Sequence, residues 1–306
     1  MNKTKIEWVK NPDGTQGYTW NPITGCLNHN NGLCNGGLFP CYSYKLANGR
    51  LKQRYLANKK ITPALGELCD TDKAFADPFY PRFWESRLNW HRVYSVNSEL
   101  TKGIFVCDMG DLFGIGIPEE WTRRVLDYIR TEFEDRFYLL TKQPQNLIKF
   151  SPFPDNCWVG VTATSSRMFV KAMDELYDVE AKVKFISLEP LLEWHIEPKV
   201  MYGNLTAQRL DWLIIGACTG TNSELTYLKE KYPELTLHIK EFGMARKWTA
   251  QPKIEWVREI VEAADKAGIK VFLKDNLYQL YLSNPQYSCH FMFKDARLRQ
   301  EMPQIK

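Results

Sequence analysis

From residue 104 onward the chain alternates short runs of β-branched and aromatic residues with longer amphipathic stretches. The runs are Ile104–Cys107, Phe137–Leu140, Cys157–Val161, Val183–Ile186, Trp212–Ile215 and Val271–Leu273. Each is nearly all apolar, as expected of parallel strands buried on both faces. Helices are expected between them. Pro118-Glu119-Glu120 opens one, with proline at the first position and acids where the helix dipole favours them. Ser165 is placed to cap a second, with Phe169, Ala172, Met173 and Leu176 on one face. A third runs from about Pro252 to Ala267 and stops at Gly268. With a further strand near Tyr18–Ile23, about seven β-α units result. This pattern predicts an α/β fold: a full or partial TIM-type β/α barrel, with a doubly wound sheet as second choice. The barrel is expected over residues 1–275, with insertions at about 50–100 and 222–250, followed by a C-terminal extension at 276–306.

Polar residues follow each run. Asp108, Met109, Gly110 and Asp111 come after the first, Thr141 and Lys142 after the second, and Thr162 and Thr164 after the third. Ser187 and Glu189, Cys218 and Thr219, and Lys274 and Asp275 follow the others. In a β/α barrel these positions share the C-terminal face, where active sites are built. Polar residues at one strand end are unremarkable. Their recurrence, beside a cysteine-rich loop after the Tyr18–Ile23 strand, favours a site.

That loop carries Cys26, Cys34 and Cys41 among glycines and asparagines, with gaps of seven and six residues. Soft thiolates on a flexible backbone suit zinc or an iron–sulfur cluster. His29 makes a Cys₃His zinc knot one reading, although zinc knuckles usually pair their ligands more tightly. The other is a [4Fe–4S] cluster held by three thiolates, with one iron open to a small molecule. Eight cysteines in 306 residues are too sparse for a disulfide scaffold. No apolar run approaches the ~18–20 residues of a membrane span, and the N-terminus has no signal-peptide apolar region. A reducing cytoplasm is therefore expected.

The net charge of +4 is too small to name a partner. Locally, Lys45, Arg50, Lys52, Arg54, Lys59 and Lys60 interleave with Tyr42, Tyr44 and Tyr55. A second mixed run holds Arg82, Phe83, Trp84, Arg87, Trp90, His91 and Arg92. Cations with stacking rings fit single-stranded nucleic acid or a flipped base, and equally fit a solvated face with partly buried aromatics.

The segment Trp20-Asn21-Pro22-Ile23-Thr24-Gly25-Cys26, the loop ending Cys41-Tyr42, and Phe105-Val106-Cys107-Asp108-Met109-Gly110-Asp111 together resemble the three-cysteine-motif radical S-adenosylmethionine proteins common in phage and prophage genomes. The similarity continues through Leu140-Thr141-Lys142-Gln143-Pro144, Trp158-Val159-Gly160-Val161-Thr162, Ser187-Leu188-Glu189-Pro190, Asp211-Trp212-Leu213-Ile214-Ile215-Gly216 and Phe272-Leu273-Lys274. The wide gap between Cys34 and Cys41 departs from the family, whose last two cysteines usually stand two residues apart.

The resemblance implies that Cys26, Cys34 and Cys41 ligate a [4Fe–4S] cluster whose fourth iron takes S-adenosylmethionine. A one-electron donor of flavodoxin or ferredoxin type would reduce it, and a 5′-deoxyadenosyl radical would abstract hydrogen from the substrate. Asp108, Met109, Gly110 and Asp111 fall where related barrels bind the methionine amino group. Thr162, Thr164, Ser187 and Glu189 are candidates for the carboxylate or ribose, and Lys142 for offsetting carboxylate charge. Cys218 is a candidate hydrogen-atom donor, and Lys274 a cavity-facing catalytic residue. A nucleotide or nucleic acid is the expected substrate class, with no membrane partner. The competing function is a zinc-stabilised nucleic-acid-binding protein without catalysis.

Overall fold

Apolar runs bounded by turn residues become strands when both of their faces can be covered, and that is their fate here. A computed structural model describes residues 1–62, 71–88, 101–207, 209–242, 245–287 and 297–304. Eight strands hydrogen-bond side by side in the order Asn2–Lys3, Tyr18–Trp20, Gly103–Val106, Arg136–Thr141, Cys157–Thr162, Val183–Leu188, Trp212–Ile215 and Lys270–Leu273. The first pair is antiparallel. The pairings of Tyr18–Trp20 with Gly103–Val106, and of Gly103–Val106 with Arg136–Thr141, are parallel. So are those of Val183–Leu188 with Trp212–Ile215, and of Trp212–Ile215 with Lys270–Leu273. Every residue of Gly103–Val106, Cys157–Thr162 and Trp212–Ile215 is buried, which is why these runs lack a polar alternation. Burying each large aliphatic or aromatic side chain contributes roughly 1.5–3 kcal/mol. The fold is mixed α/β with a large, mainly parallel sheet, as expected.

The chain divides into two compact units. The first comprises residues 1–34, 41–159 and 179–182. Its helix Glu119–Thr131 starts after Pro118 and buries Trp121, Val125, Leu126 and Ile129. Trp8 packs on Phe105 and Tyr138 at ring separations of 5.0 and 5.7 Å.

The expected strand Tyr18–Ile23 stops at Trp20. Asn21 diverts the chain: its Nδ2 donates to Asp108 Oδ1 at 2.6 Å and its Oδ1 accepts the Met109 N–H at 2.9 Å. Pro22 has no N–H to continue a ladder. Ile23–Thr24 pairs instead, antiparallel, with Arg82–Phe83. Cys107, read from sequence as a strand residue, lies beyond its strand with φ of 59°.

The second unit comprises residues 35–40, 160–178 and 183–306. Ser165 caps the helix Ser166–Leu176 by accepting the Met168 N–H. The helix Ile254–Ala267 ends on Gly268 with φ of 71°. This unit also holds an antiparallel sheet ordered Cys218–Gly220, Ala245–Gln251, Thr236–Phe242. The helix Asn222–Lys231 beside it in sequence starts on a capping box of Thr221 and Glu224. No described helix is long and apolar enough to cross a membrane.

Candidate metal centre

The cysteine loop is fastened at both ends to one turn. At its start, Gly25 has φ of 87°, and a Cβ there would lie 2.5 Å from the Phe79 carbonyl oxygen and 2.6 Å from that of Tyr80. Only glycine fits. The Gly25 N–H donates to Met109 O at 2.9 Å, Gly25 bridges Gly110 in parallel, and the Cys26 N–H donates to Phe79 O at 3.0 Å. After Cys26, strands His29–Asn30 and Leu33–Cys34 form a hairpin that pairs His29 with Cys34. Its turn residues, Asn31 and Gly32, both have positive φ, the preference of a tight primed turn.

At the loop's end, the Cys41 N–H donates to Gly32 O at 2.8 Å, and the helix Tyr42–Asn48 begins. The Ser43 hydroxyl donates to Asp108 O at 2.9 Å, and the Tyr42 hydroxyl donates to the same oxygen. Cys34 is buried, whereas Cys26 and Cys41 are half-buried. Both pack against the cluster of Ala47, Tyr55, Phe79 and Met109, joined there by Tyr44 and Trp84.

The turn itself is heavily tied. Asn21 holds the Asp108 carboxylate and the Met109 N–H. The Asp111 carboxylate accepts from the Thr141 hydroxyl at 2.8 and 2.9 Å, the Lys142 N–H at 3.1 Å and the Phe113 N–H at 3.0 Å. Burial raises both carboxyls above their ordinary range, opposed by these hydrogen bonds. Lys142 reports on the whole arrangement. Burial alone would lower its ammonium, but Cys34, Asp111, Cys41 and Cys26 overcome that and hold it above its ordinary value. All three loop sulfurs therefore lie within electrostatic reach of one cation more than 100 residues further along, as does Asp111, 31 residues before it. Burial, aided by Asp111 and Cys34, pushes the Cys26 thiol up to about 12, so it carries its proton at neutral pH. His29 stacks between Tyr44 and Phe79 at 5.0 and 5.3 Å, and its Nδ1 accepts the Gly32 N–H at 3.4 Å.

The remaining expected residues lie in the second unit. The Thr164 hydroxyl donates to Gly36 O at 2.5 Å, inside the cysteine loop. The Tyr232 hydroxyl donates to Gly37 O at 3.1 Å. Gly37 has φ of 135°, and a Cβ there would lie 2.7 Å from Leu192 and 2.8 Å from Thr164 Oγ1. Thr162 and Ser187 are buried, and Ser187 O accepts the Ala163 N–H. Glu189 and Lys274 form an ion pair that is mostly shielded from solvent. Cys218, also buried, begins the antiparallel sheet. The preceding residue is held by Asn276, whose side chain bonds both the N–H and the C=O of Ala217 at 3.0 and 2.8 Å.

Arg82, grouped by sequence with nucleic-acid-facing cations, is completely buried and donates to Phe75 O and Asp77 O. Trp90, His91 and Arg92 lie outside the described residues. Asn21, Ser43, Tyr232 and Asn276 are the positioning side chains that sequence did not single out. Asn31-Gly32 is a legible signal of the hairpin, since Asn-Gly between pairing residues marks a tight turn.

Among the described residues, no three His, Cys, Asp or Glu side chains stand close enough together to hold a single metal ion. Three soft sulfurs, an apolar wall on one side and one cation within reach of all of them suit a thiolate-bound, net-negative iron–sulfur group.

The chain belongs to the family described as a protein of unknown function (DUF5131), whose model matches residues 3–230. No curated protein matches it. Among solved structures it is similar to a double mutant of spore photoproduct lyase with bound AdoMet and dinucleoside spore photoproduct. That likeness has 11% identity and a TM-score of 0.50, over 88% of this chain and 80% of that one. A single mutant with dinucleoside spore photoproduct gives 12% identity and a TM-score of 0.51, over 87% and 78%. Another single mutant gives 11% and 0.50, over 90% and 80%. At such identities the likeness is one of fold.

Proposed function

We propose that this protein is a radical S-adenosylmethionine enzyme in which Cys26, Cys34 and Cys41 hold a [4Fe–4S] cluster. The observation that carries the proposal is a three-cysteine loop gripped at both ends by the Asp108–Met109 turn, with Cys26 and Cys41 packed against one apolar cluster. The fold supports it, being similar to that of spore photoproduct lyase, a radical S-adenosylmethionine enzyme. When bound, such a cluster supplies the electron that cleaves S-adenosylmethionine to a 5′-deoxyadenosyl radical.

The chain's own residues prepare that site. Each thiol gives up its proton on ligation, so uptake of the group becomes easier as pH rises. Lys142 keeps its proton and offsets thiolate charge. Asp111 acts through Lys142 and Thr141 as a positioning residue, because its oxygens are already engaged. The Met109 and Gly110 backbone and Asp108 form the edge assigned to the methionine amino group. Tyr44, Phe79 and Trp84 exclude water from one side.

Thr162, Ser187 and Glu189 are assigned to the carboxylate or ribose of the cofactor. Thr164 is assigned to the same cofactor groups, and its hydroxyl also donates to Gly36 O. Cys218 and the Lys274 ammonium are assigned to the substrate. A flavodoxin- or ferredoxin-type donor delivers electrons in a reducing cytoplasm, and the substrate is a nucleotide or nucleic acid. The dinucleoside bound by the similar lyase supports that class.

Anaerobically purified protein should be brown and hold iron and sulfide, and with reductant it should convert S-adenosylmethionine to 5′-deoxyadenosine. Colourless protein carrying one zinc and releasing no 5′-deoxyadenosine would overturn the proposal in favour of the zinc-stabilised alternative.

A further inference from the structure

Cationic side chains on the first unit divide into those that have a carboxylate partner among the described residues and those that do not. Lys60 and Arg124 both pair with Glu85, at 2.9 and 2.7 Å, so each already has a carboxylate partner. Arg54 and Arg87 differ. Among the described residues neither makes an ion pair with a carboxylate.

Arg87 is held in place by neutral groups. Its guanidinium lies over the Trp84 ring at 4.0 Å and donates to Asn21 O. Trp84 is itself fixed, donating from Nε1 to Thr24 Oγ1 at 2.8 Å. The Tyr55 ring packs 5.8 Å from Trp84, and Arg54, its chain neighbour, is exposed on the same short helix Lys52–Ala57. The two guanidinium groups feel each other: burial lowers Arg87, and the Arg54 charge lowers it further. The carboxylate that acts on Arg87 is Asp108, whose Oδ1 is taken up by Asn21. An anion arriving beside Trp84 meets a guanidinium held over the indole and a second one on the helix whose Tyr55 packs against that ring. Guanidinium forks match phosphate oxygens in a bidentate manner.

Position gives this pair a purpose. Trp84 and Tyr55 belong to the apolar cluster against which Cys26 and Cys41 pack, and Asn21 links Arg87 to the Asp108–Met109 turn. We propose that Arg54 and Arg87 form a docking site for a phosphate group of the substrate, set beside the cysteine loop. This deepens, and rests on, the assignment of a nucleotide or nucleic-acid substrate. The phosphate comes from a free nucleotide or from a strand's phosphodiester.

The test is fluorescence anisotropy of a labelled single-stranded oligodeoxynucleotide with the full chain, between 50 and 200 mM salt. Arg54→Glu and Arg87→Gln are each expected to raise Kd about tenfold. Each should also flatten the salt dependence by about 0.7 in log–log slope, one single-strand phosphate contact. Lys60→Gln, whose partner is Glu85, is expected to leave both within twofold. Arg54 is exposed and has no side-chain bond to lose, so its variant keeps the test open if Arg87→Gln misfolds. Unlabelled mononucleotide that displaces the probe assigns the site to a free nucleotide; failure to displace assigns it to a strand. Unchanged Kd and slope in both arginine variants would overturn the docking site. Iron content and 5′-deoxyadenosine formation, measured on the same samples, report separately on the radical-enzyme assignment, so either can fail alone.

Discussion

Replacing Gly25 by alanine strikes the cysteine loop at its narrowest point. Two costs arise. An alanine held at φ of 87° takes a left-handed conformation worth about 1–2 kcal/mol. Its Cβ would also stand 2.5 and 2.6 Å from two backbone oxygens, those of Phe79 and Tyr80. Relieving such overlap against main chain costs about 1–3 kcal/mol more. Gly14 supplies the internal control. Its φ is 83°, nearly the same, but a Cβ there meets nothing within 4 Å. Urea unfolding of the metal-free chains should thus show a loss of about 1–2 kcal/mol for Gly14→Ala and about 2–5 kcal/mol for Gly25→Ala. The difference isolates the clash. Because Cys26 is the next residue, and its N–H is tied to Phe79 O, iron per chain should fall in the Gly25 variant and stay unchanged in the Gly14 variant. Equal destabilisation, or full iron uptake by Gly25→Ala, would refute the placement of Gly25 against that backbone.

Other perturbations follow from the same geometry. Tyr232→Phe and Thr164→Val each remove one hydrogen bond to the loop's middle, costing about 0.5–1.5 kcal/mol, and should shorten the time for the brown colour to bleach in air. Ser165→Ala should cost about 1 kcal/mol through the lost helix cap, without touching iron content. Asp108 is raised above its ordinary range by burial, so the folded chain binds its proton more tightly than the unfolded one. Stability should then fall as pH climbs from about 3.9 through the raised folded value, and Asp108→Asn should flatten that fall. A variant with the same pH slope as the parent would contradict the burial of that carboxyl.

The strands could be read from sequence because both faces of each are covered, leaving runs such as Trp212–Ile215 with no polar interruption. Helix ends were equally plain at Pro118, Ser165 and Gly268, where one residue type answers one local need. The cysteine loop and the Asp108–Asp111 turn stood out by composition. What joins them did not. Asn21 does backbone work between strand Tyr18–Trp20 and Met109, a role that any asparagine before a proline could have or lack. Tyr232 reaches Gly37 across 195 positions of sequence, beyond the range of any local pattern. The hairpin Thr236–Phe242 with Ala245–Gln251 mixes charged and apolar residues, so no buried-strand signal marks it. Arg82 shows the opposite failure: a basic residue in a basic, aromatic run that the fold buries completely.

Whether one iron of a three-thiolate cluster is left for S-adenosylmethionine decides the proposed function. Electron paramagnetic resonance of the anaerobically reduced protein addresses this directly. Addition of S-adenosylmethionine should change the g-values of the cluster signal, and Cys34→Ala should abolish the signal itself. A cluster spectrum indifferent to S-adenosylmethionine, or one that survives loss of Cys34, would contradict it.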